Sequence, residues 1–429
     1  MFRILIYIAL GVLTSFYVFP FSFTFIPQTL NTKILVGMLG GAMMVYNTIK
    51  KEKITLTSGI LGAIAFSFLF SLICFIAADT NSTNDYAYAT YTLSLTIWFF
   101  GAYGLCSLYR SIHREVNFRI LTFYVASVCA GQCIIALAID NIPSFQVFVD
   151  SFVAIDKDFF DEIDRLYGIG AALDPAGVRF SVALIMIAAV LNHDLKTRAN
   201  TSYILFLLIS FFIITVVGNI ISRTTILGLA CASTYFLFSS GVFKTKISQE
   251  AVKLAALFFV FLILAATIST YLYQTNEAFH NYMRFAFEGF FNWVEQGEWR
   301  TDSTDKLNRT MWIWPEDFKT WMIGSGLFDG FFYGTDIGYC RFILYCGLIG
   351  FSVFATFFVY LPLYFARGTP KLTFMFLLLM ALSFMIWVKV ATDIFQFYAL
   401  FFCLDRFLDN KGFYQNRAYE NRVLRPRYV

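Results

Sequence analysis

Charge is scarce in this chain. Asp, Glu, Lys and Arg supply only 14% of its 429 residues, against about a quarter in soluble domains. Hydrophobic residues make up 59%, aromatic residues 20%, and mean hydropathy is +0.67. The chain therefore reads as an all-α, polytopic integral membrane protein. Histidine is nearly absent, with three residues that form no metal-ligand cluster. A phosphate-binding glycine-lysine loop and a nucleophile elbow are also missing. Six of the eight cysteines (Cys74, Cys106, Cys129, Cys133, Cys231, Cys403) lie in apolar segments. Cys340 and Cys346 flank Arg341 at a spacing that puts them on different helix faces, so no disulfide framework is visible. The net charge of +4 is small, and the basic residues fall in short clusters between apolar runs. That pattern excludes nucleic acid as a partner and points to the lipid bilayer.

What the chain has is apolar runs. A span takes about 20 apolar residues, and about twelve stretches qualify: 4–24, 33–49, 55–77, 88–109, 118–139, 178–192, 203–221, 223–241, 254–273, 338–364, 372–388 and 391–405. The sixth is short, and the last two share one run broken between Lys389 and Asp393. Residues 1–429 are expected to form one transmembrane helical domain. The first helix carries one basic residue, Arg3, and no small-residue cleavage site, so it is read as retained.

Basic clusters occupy every second connection: 50–53, 109–119, 194–198, 243–246, 366–371 and a basic tail at 406–429. By the positive-inside rule these are cytoplasmic, with both termini inside. On this reading about 20 of the 32 basic residues are cytoplasmic, against only about 7 of the 28 acids. Two of the intervening connections are long. The first external loop covers 140–178 and the large external loop 274–337. In the second, Met283, Phe287, Phe291 and Val294 recur at helical spacing. Trp293, Trp299, Trp312 and Trp314 suit the headgroup level, so short interfacial helices are expected.

Three segments carry chemistry at this external side. Arg223, in GNIISRTTILGLA (218–230), sits between two apolar runs with almost no loop. A guanidinium there can grip a phosphate through its fork of donors; the other reading is an arginine snorkelling to headgroups. Asn219 reads as a polar packing contact. In DRLYGIGAALDPAGVRFSVAL (164–184), glycines and Pro175 lead into a helix expected near Arg179, with Arg165 and Arg179 adding charge. Glycines permit close backbone approach and a helix start favours an anion; alternatively this is a turn with Asp174 as the cap. In GTDIGYCRFILYCGLIG (334–350), Arg341 lies just inside an apolar run, where charge is costly. Tyr339 and Tyr345 offer phenolic donors. Asp336 suits a general base toward a hydroxyl, or a cap for the following helix.

These segments resemble the O-antigen polymerase (Wzy) and O-antigen ligase superfamily of bacterial membrane glycosyltransferases. RLYGIGAALDPAG (165–177) is similar to the family's arginine-glycine-proline loop. SRTTILGL (222–229) resembles the ligase arginine-x-x-x-leucine motif, on Arg223 and Leu227. The stretch after the long loop closes in a similar glycine pair, Gly347 and Gly350. Ligases carry a histidine about eleven residues before that pair, and this chain has Asp336 there, a departure that favours polymerase.

The resemblance implies about a dozen helices, a large periplasmic loop and a bacterial inner membrane. It implies a transferase without metal or cofactor, acting on an undecaprenyl-diphosphate-linked oligosaccharide, in company with a chain-length regulator protein. Arg341, Arg223 and Asp336 are then the expected catalytic residues. Arg165, Arg179 and Tyr339 are expected to bind diphosphate or glycan. An O-antigen ligase is the alternative enzyme, and a lipid-linked oligosaccharide flippase the alternative from another class. Flippases place charge at the bilayer midplane and often show repeats, whereas here charge gathers at one face.

Overall fold

Long apolar runs enter hydrocarbon only if each backbone amide is paired within its own segment, and that selects helix. A computed structural model describes residues 2–51, 57–154, 165–239 and 249–408; most of the basic tail and part of the first loop lie outside the described residues. Helix dominates, and the described residues contain no strand, only two isolated bridges. In chain order the helices are α1 (Phe2–Val18), α2 (Thr32–Lys51), α3 (Ser58–Thr80), α4 (Tyr91–His113), α5 (Phe118–Asn141), α6 (Pro143–Phe152) and α7 (Leu173–His193). Then follow α8 (Leu195–Ala199), α9 (Thr201–Ile221), α10 (Thr225–Ser239), α11 (Gln249–Thr275), α12 (Glu277–Ala286) and α13 (Glu288–Gln296). The last are α14 (Asp302–Lys306), α15 (Phe318–Ile323), α16 (Gly338–Gly368), α17 (Thr373–Ile386) and α18 (Phe395–Phe402).

Each of the twelve apolar stretches contains a helix, but they are unequal. Among the described residues, seven helices are long and apolar enough to cross a membrane: α3, α4, α5, α7, α9, α11 and α16. The sixth stretch, short in sequence, becomes the full α7. It starts at Leu173, not near Arg179, so Arg179 lies inside the helix. α7 is also the most enclosed helix, with every residue from Phe180 to Asn192 buried against α5, α9, α10 and α17. It meets α10 closely through small residues, as membrane helices do. A Cβ on Gly228 would stand 2.1 Å from the Ser181 Cα, and the Ser181 hydroxyl donates to the Thr224 carbonyl at 3.1 Å.

α11 is the opposite case. Almost none of it is buried, and it touches only α9 and α12 closely. It leads into α12 and α13, which occupy the amphipathic patch. Trp293 and Trp299 stay more than half exposed there, as interfacial residues would.

Two interruptions shape the end of the bundle that faces residues 274–337. The first is a kink in α16 at Gly347, whose φ of +65° is left-handed. The carbonyls of Leu344 and Tyr345, just ahead of the kink, accept from the Ser325 and Gly326 amides at 2.7 and 3.0 Å. A Cβ at Gly347 would fall 2.2 Å from the Met322 carbonyl oxygen. The second interruption is the break at 387–394. α17 and α18 have only 14 and 8 residues, roughly 21 and 12 Å at 1.5 Å per residue. Neither reaches the roughly 30 Å of hydrocarbon by itself, and the stretch between them is non-helical backbone flanked by apolar helices. Such backbone is stable only when enclosed by protein or lining a wet cavity. Here the Trp387 carbonyl accepts from the Tyr339 amide at 3.1 Å, the Ala391 carbonyl from Tyr88 at 3.2 Å, and the Thr392 carbonyl from the Trp387 indole at 2.8 Å.

Gly347→Ala forces a side chain into both a backbone clash and a left-handed φ. A cost of about 1–3 kcal/mol is expected, read as a lower thermal midpoint in detergent. Gly131, where a Cβ meets nothing within 4 Å, is the control, and equal midpoints for the two alanine variants would rule out a built-in kink.

Candidate functional site

The connection between α9 and α10 is only three residues, Ser222 to Thr224. Their side chains diverge. Ser222 and Thr224 donate to Asp174 Oδ1 at 3.1 and 2.6 Å, and Lys389, from the 387–394 break, pairs with the same oxygen at 2.9 Å. Asp174 does not cap its helix as expected. It falls one residue inside the first turn, after Ala172, and its carboxylate joins other elements instead.

Arg223 points the other way, toward the long connection. It forms a 2.6 Å ion pair with Glu288 of α13, with both side chains 16% exposed. It also donates to the Ser303 hydroxyl at 3.1 Å and lies 3.9 Å from the centre of the Phe285 ring. Arg165 lies over that ring at 5.2 Å. Phe285 is thus shared by two of the expected arginines. Glu288 is held in turn, its Oε1 accepting from the Asp302 amide at 2.8 Å.

Beside Arg223 opens a cavity of about 240 Å³. Arg223, Lys389, Glu288 and several hydroxyl side chains line it together with Ile226, Leu227, Phe290, Trp312, Met385 and Val388. A largely apolar cavity with a few polar groups is the usual form of a small-molecule site.

Arg341 is positioned by a separate clamp. Its guanidinium donates to the Phe328 carbonyl at 2.8 Å and sits 3.9 Å from the centre of that ring. Phe328 is fixed by the polar segment after α3. Asp85 accepts from the Phe328 and Asp329 amides at 2.5 and 2.6 Å, Thr83 donates to the Gly326 carbonyl at 2.7 Å, and Asn81 to that of Gly324 at 3.0 Å. Ahead of α16, Ile337 occupies the capping position without a side-chain bond. Asp336 is therefore not the cap. It is solvent-accessible, makes no hydrogen bond or ion pair to a described residue, and lies within electrostatic reach of Arg341, Asp174, Lys306 and Lys389. Partial burial, helped by the Asp174 charge, raises its carboxyl above the usual range against the pull of Arg341, Lys306 and Lys389.

The structure thus gathers Arg223, Arg165, Asp336 and Arg341 around one end of the bundle, joined by Asp174 and Lys389. Two expected residues are elsewhere. The Tyr339 hydroxyl donates to the Phe384 carbonyl at 2.9 Å, and its ring packs on Trp387. Arg179 is five positions past Asp174, roughly 140° around α7, where it lies over Phe19 and near Asp393. The sequence reading passed over Lys389, Glu288 and Asp85. For Lys389 the signal was present, a lone cation in an apolar run, but it was read as a break between spans. No family model, curated protein or solved structure matches the chain.

Lys389→Met strands the Asp174 carboxylate and should lower stability by about 1–3 kcal/mol. Adding Asp174→Asn should recover part of that loss, because both charges are then gone. Strictly additive losses in a thermal-melt cycle would mean the two groups do not interact.

Proposed function

We propose that this protein is a polysaccharide polymerase of the O-antigen polymerase and ligase superfamily. It transfers undecaprenyl-diphosphate-linked oligosaccharide repeat units onto an acceptor lipid-linked unit at the outer face of a bacterial inner membrane, with both termini cytoplasmic. The observation that carries this reading is the largely apolar cavity whose lining includes Arg223 and Lys389. A lipid diphosphate needs that combination, a slot for an isoprenoid and cations for the phosphates. The approach of Arg341 and Asp336 to the same region adds support.

In this mechanism Arg223, Arg341 and Arg165 hold the donor diphosphate, with Lys389 behind them. As the anomeric C–O bond breaks, negative charge grows on the leaving diphosphate, and fixed guanidinium groups stabilise it where it develops. The acceptor hydroxyl attacks the anomeric carbon and Asp336 takes its proton. The products are a longer lipid-linked chain and undecaprenyl diphosphate. A carboxyl raised above its ordinary value is a stronger base, closer to the working pH.

In a strain lacking the gene, surface polysaccharide should collapse to single repeats. Wild-type complementation should restore length, while Arg341→Ala or Arg223→Ala, present at normal membrane levels, should not. Free long polymer in the deletion strain would mean a ligase, and loss of all lipid-linked glycan on the outer leaflet a flippase. In purified protein the rate should rise with pH as Asp336 deprotonates, with an apparent pKa above the ordinary value of about 3.9. Asp336→Asn should lower the rate about 10²- to 10⁴-fold and remove that limb. An unchanged profile would exclude Asp336 as the base.

A further inference from the structure

Away from the Arg223 cavity, three charges from distant parts of the chain come together without pairing. Lys33 lies in the first turn of α2, Arg179 in α7, and Asp393 at the end of the 387–394 break. Each lies within electrostatic reach of the others, yet no ion pair within 4.0 Å joins any two of them. Asp393 is held from its own side, accepting from the Tyr91 hydroxyl at 3.1 Å and the Phe395 amide at 2.8 Å. Lys33 donates to the Ser94 hydroxyl at 2.5 Å and lies over Trp98 at 4.5 Å. Arg179 has only the Phe19 ring at 5.7 Å and no hydrogen bond or ion pair to a described residue.

All three are partly buried, and a charge drawn from water is costly unless something satisfies it. Arginine carries five donors in a rigid fork, and here all are unspent. The trio holds two positive charges and one negative, so a single anion between Lys33 and Arg179 would neutralise it. Asp393 can accept further hydrogen bonds, which suits a hydroxyl donor on the same molecule. Trp98, Tyr91 and Phe19 provide apolar surface around the gap.

We infer that Lys33, Arg179 and Asp393 form a second binding site, which takes an anionic polyol: one carboxylate or phosphate group held by Lys33 and Arg179, with a neighbouring hydroxyl donated to Asp393. Two sources fit this chemistry, an acidic sugar and a glycerol phosphate headgroup. The site does not depend on the transferase reading.

The test is calorimetric titration of the full-length protein in phosphatidylcholine nanodiscs with glucuronate, glycerol 1-phosphate and glucose. At least one of the two anions should bind, and neutral glucose should bind at least tenfold more weakly. Arg179→Met and Lys33→Met should each weaken anion binding at least tenfold. Binding of glucuronate alone would identify an acidic sugar, and of glycerol 1-phosphate alone a lipid headgroup. Failure of both anions to bind would overturn the site and leave the gap to water. Wild-type affinity in Lys33→Met would overturn it too, and that variant decides the matter if Arg179→Met does not fold. Failure of the polymerase reading would appear in the Arg223 and Arg341 variants in cells, not in this titration.

Discussion

One carboxylate ties together the segments on which the candidate site is built. Asp174 receives Ser222 and Thr224 from the α9–α10 turn and Lys389 from the broken end of α17. These groups are partly withdrawn from solvent, and a polar group so placed is costly unless it finds a partner. Satisfying them on one oxygen fixes the turn, and the turn aims Arg223 the other way, at Glu288 and the cavity. The same pair keeps the 387–394 backbone against α7. Without it, Lys389 would be an isolated cation on an unwound segment.

A second set of constraints works on Arg341 by the same logic. The kink at Gly347 turns the helix carbonyls of Leu344 and Tyr345 toward the loop amides of Ser325 and Gly326. The polar residues after α3 complete the clamp through Asp85, and Phe328 then presents its carbonyl and ring to Arg341. Both arginines are thus set by contacts between segments far apart in the chain. The glycine pair and the polar stretch 79–85 belong to one device.

The twelve apolar stretches were legible in the sequence because hydropathy records them directly, and each contains a helix. What hydropathy could not record was which of them are long enough to span. The short α17 and α18 depend on backbone hydrogen bonds from Tyr339, Tyr88 and Trp387 across the fold. Arg223, Arg165, Arg341 and Asp336 were singled out from their shared position at apolar boundaries, and they lie around one end of the bundle. Arg179 and Tyr339 were misplaced for a simple reason. Spacing along a segment gives the end of the bundle but not the face, and a helix begun six residues earlier turns Arg179 toward α2. Glu288 is one acid among ten in its connection, and only the fold distinguishes it.

α11 has a consequence for the chemistry at the other end of the chain's long connection. Its 27 residues extend roughly 40 Å, more than the roughly 30 Å of hydrocarbon in an ordinary bilayer. Little of the protein restrains it laterally, so its tilt is set by the lipid. α12 and α13 hang directly from its end, and Glu288 with them. Glu288 is tied to the bundle through Arg223 and, through α12 and α13, to a helix that the bundle holds on few sides, so a change in the tilt of α11 would be felt at the carboxylate that holds Arg223.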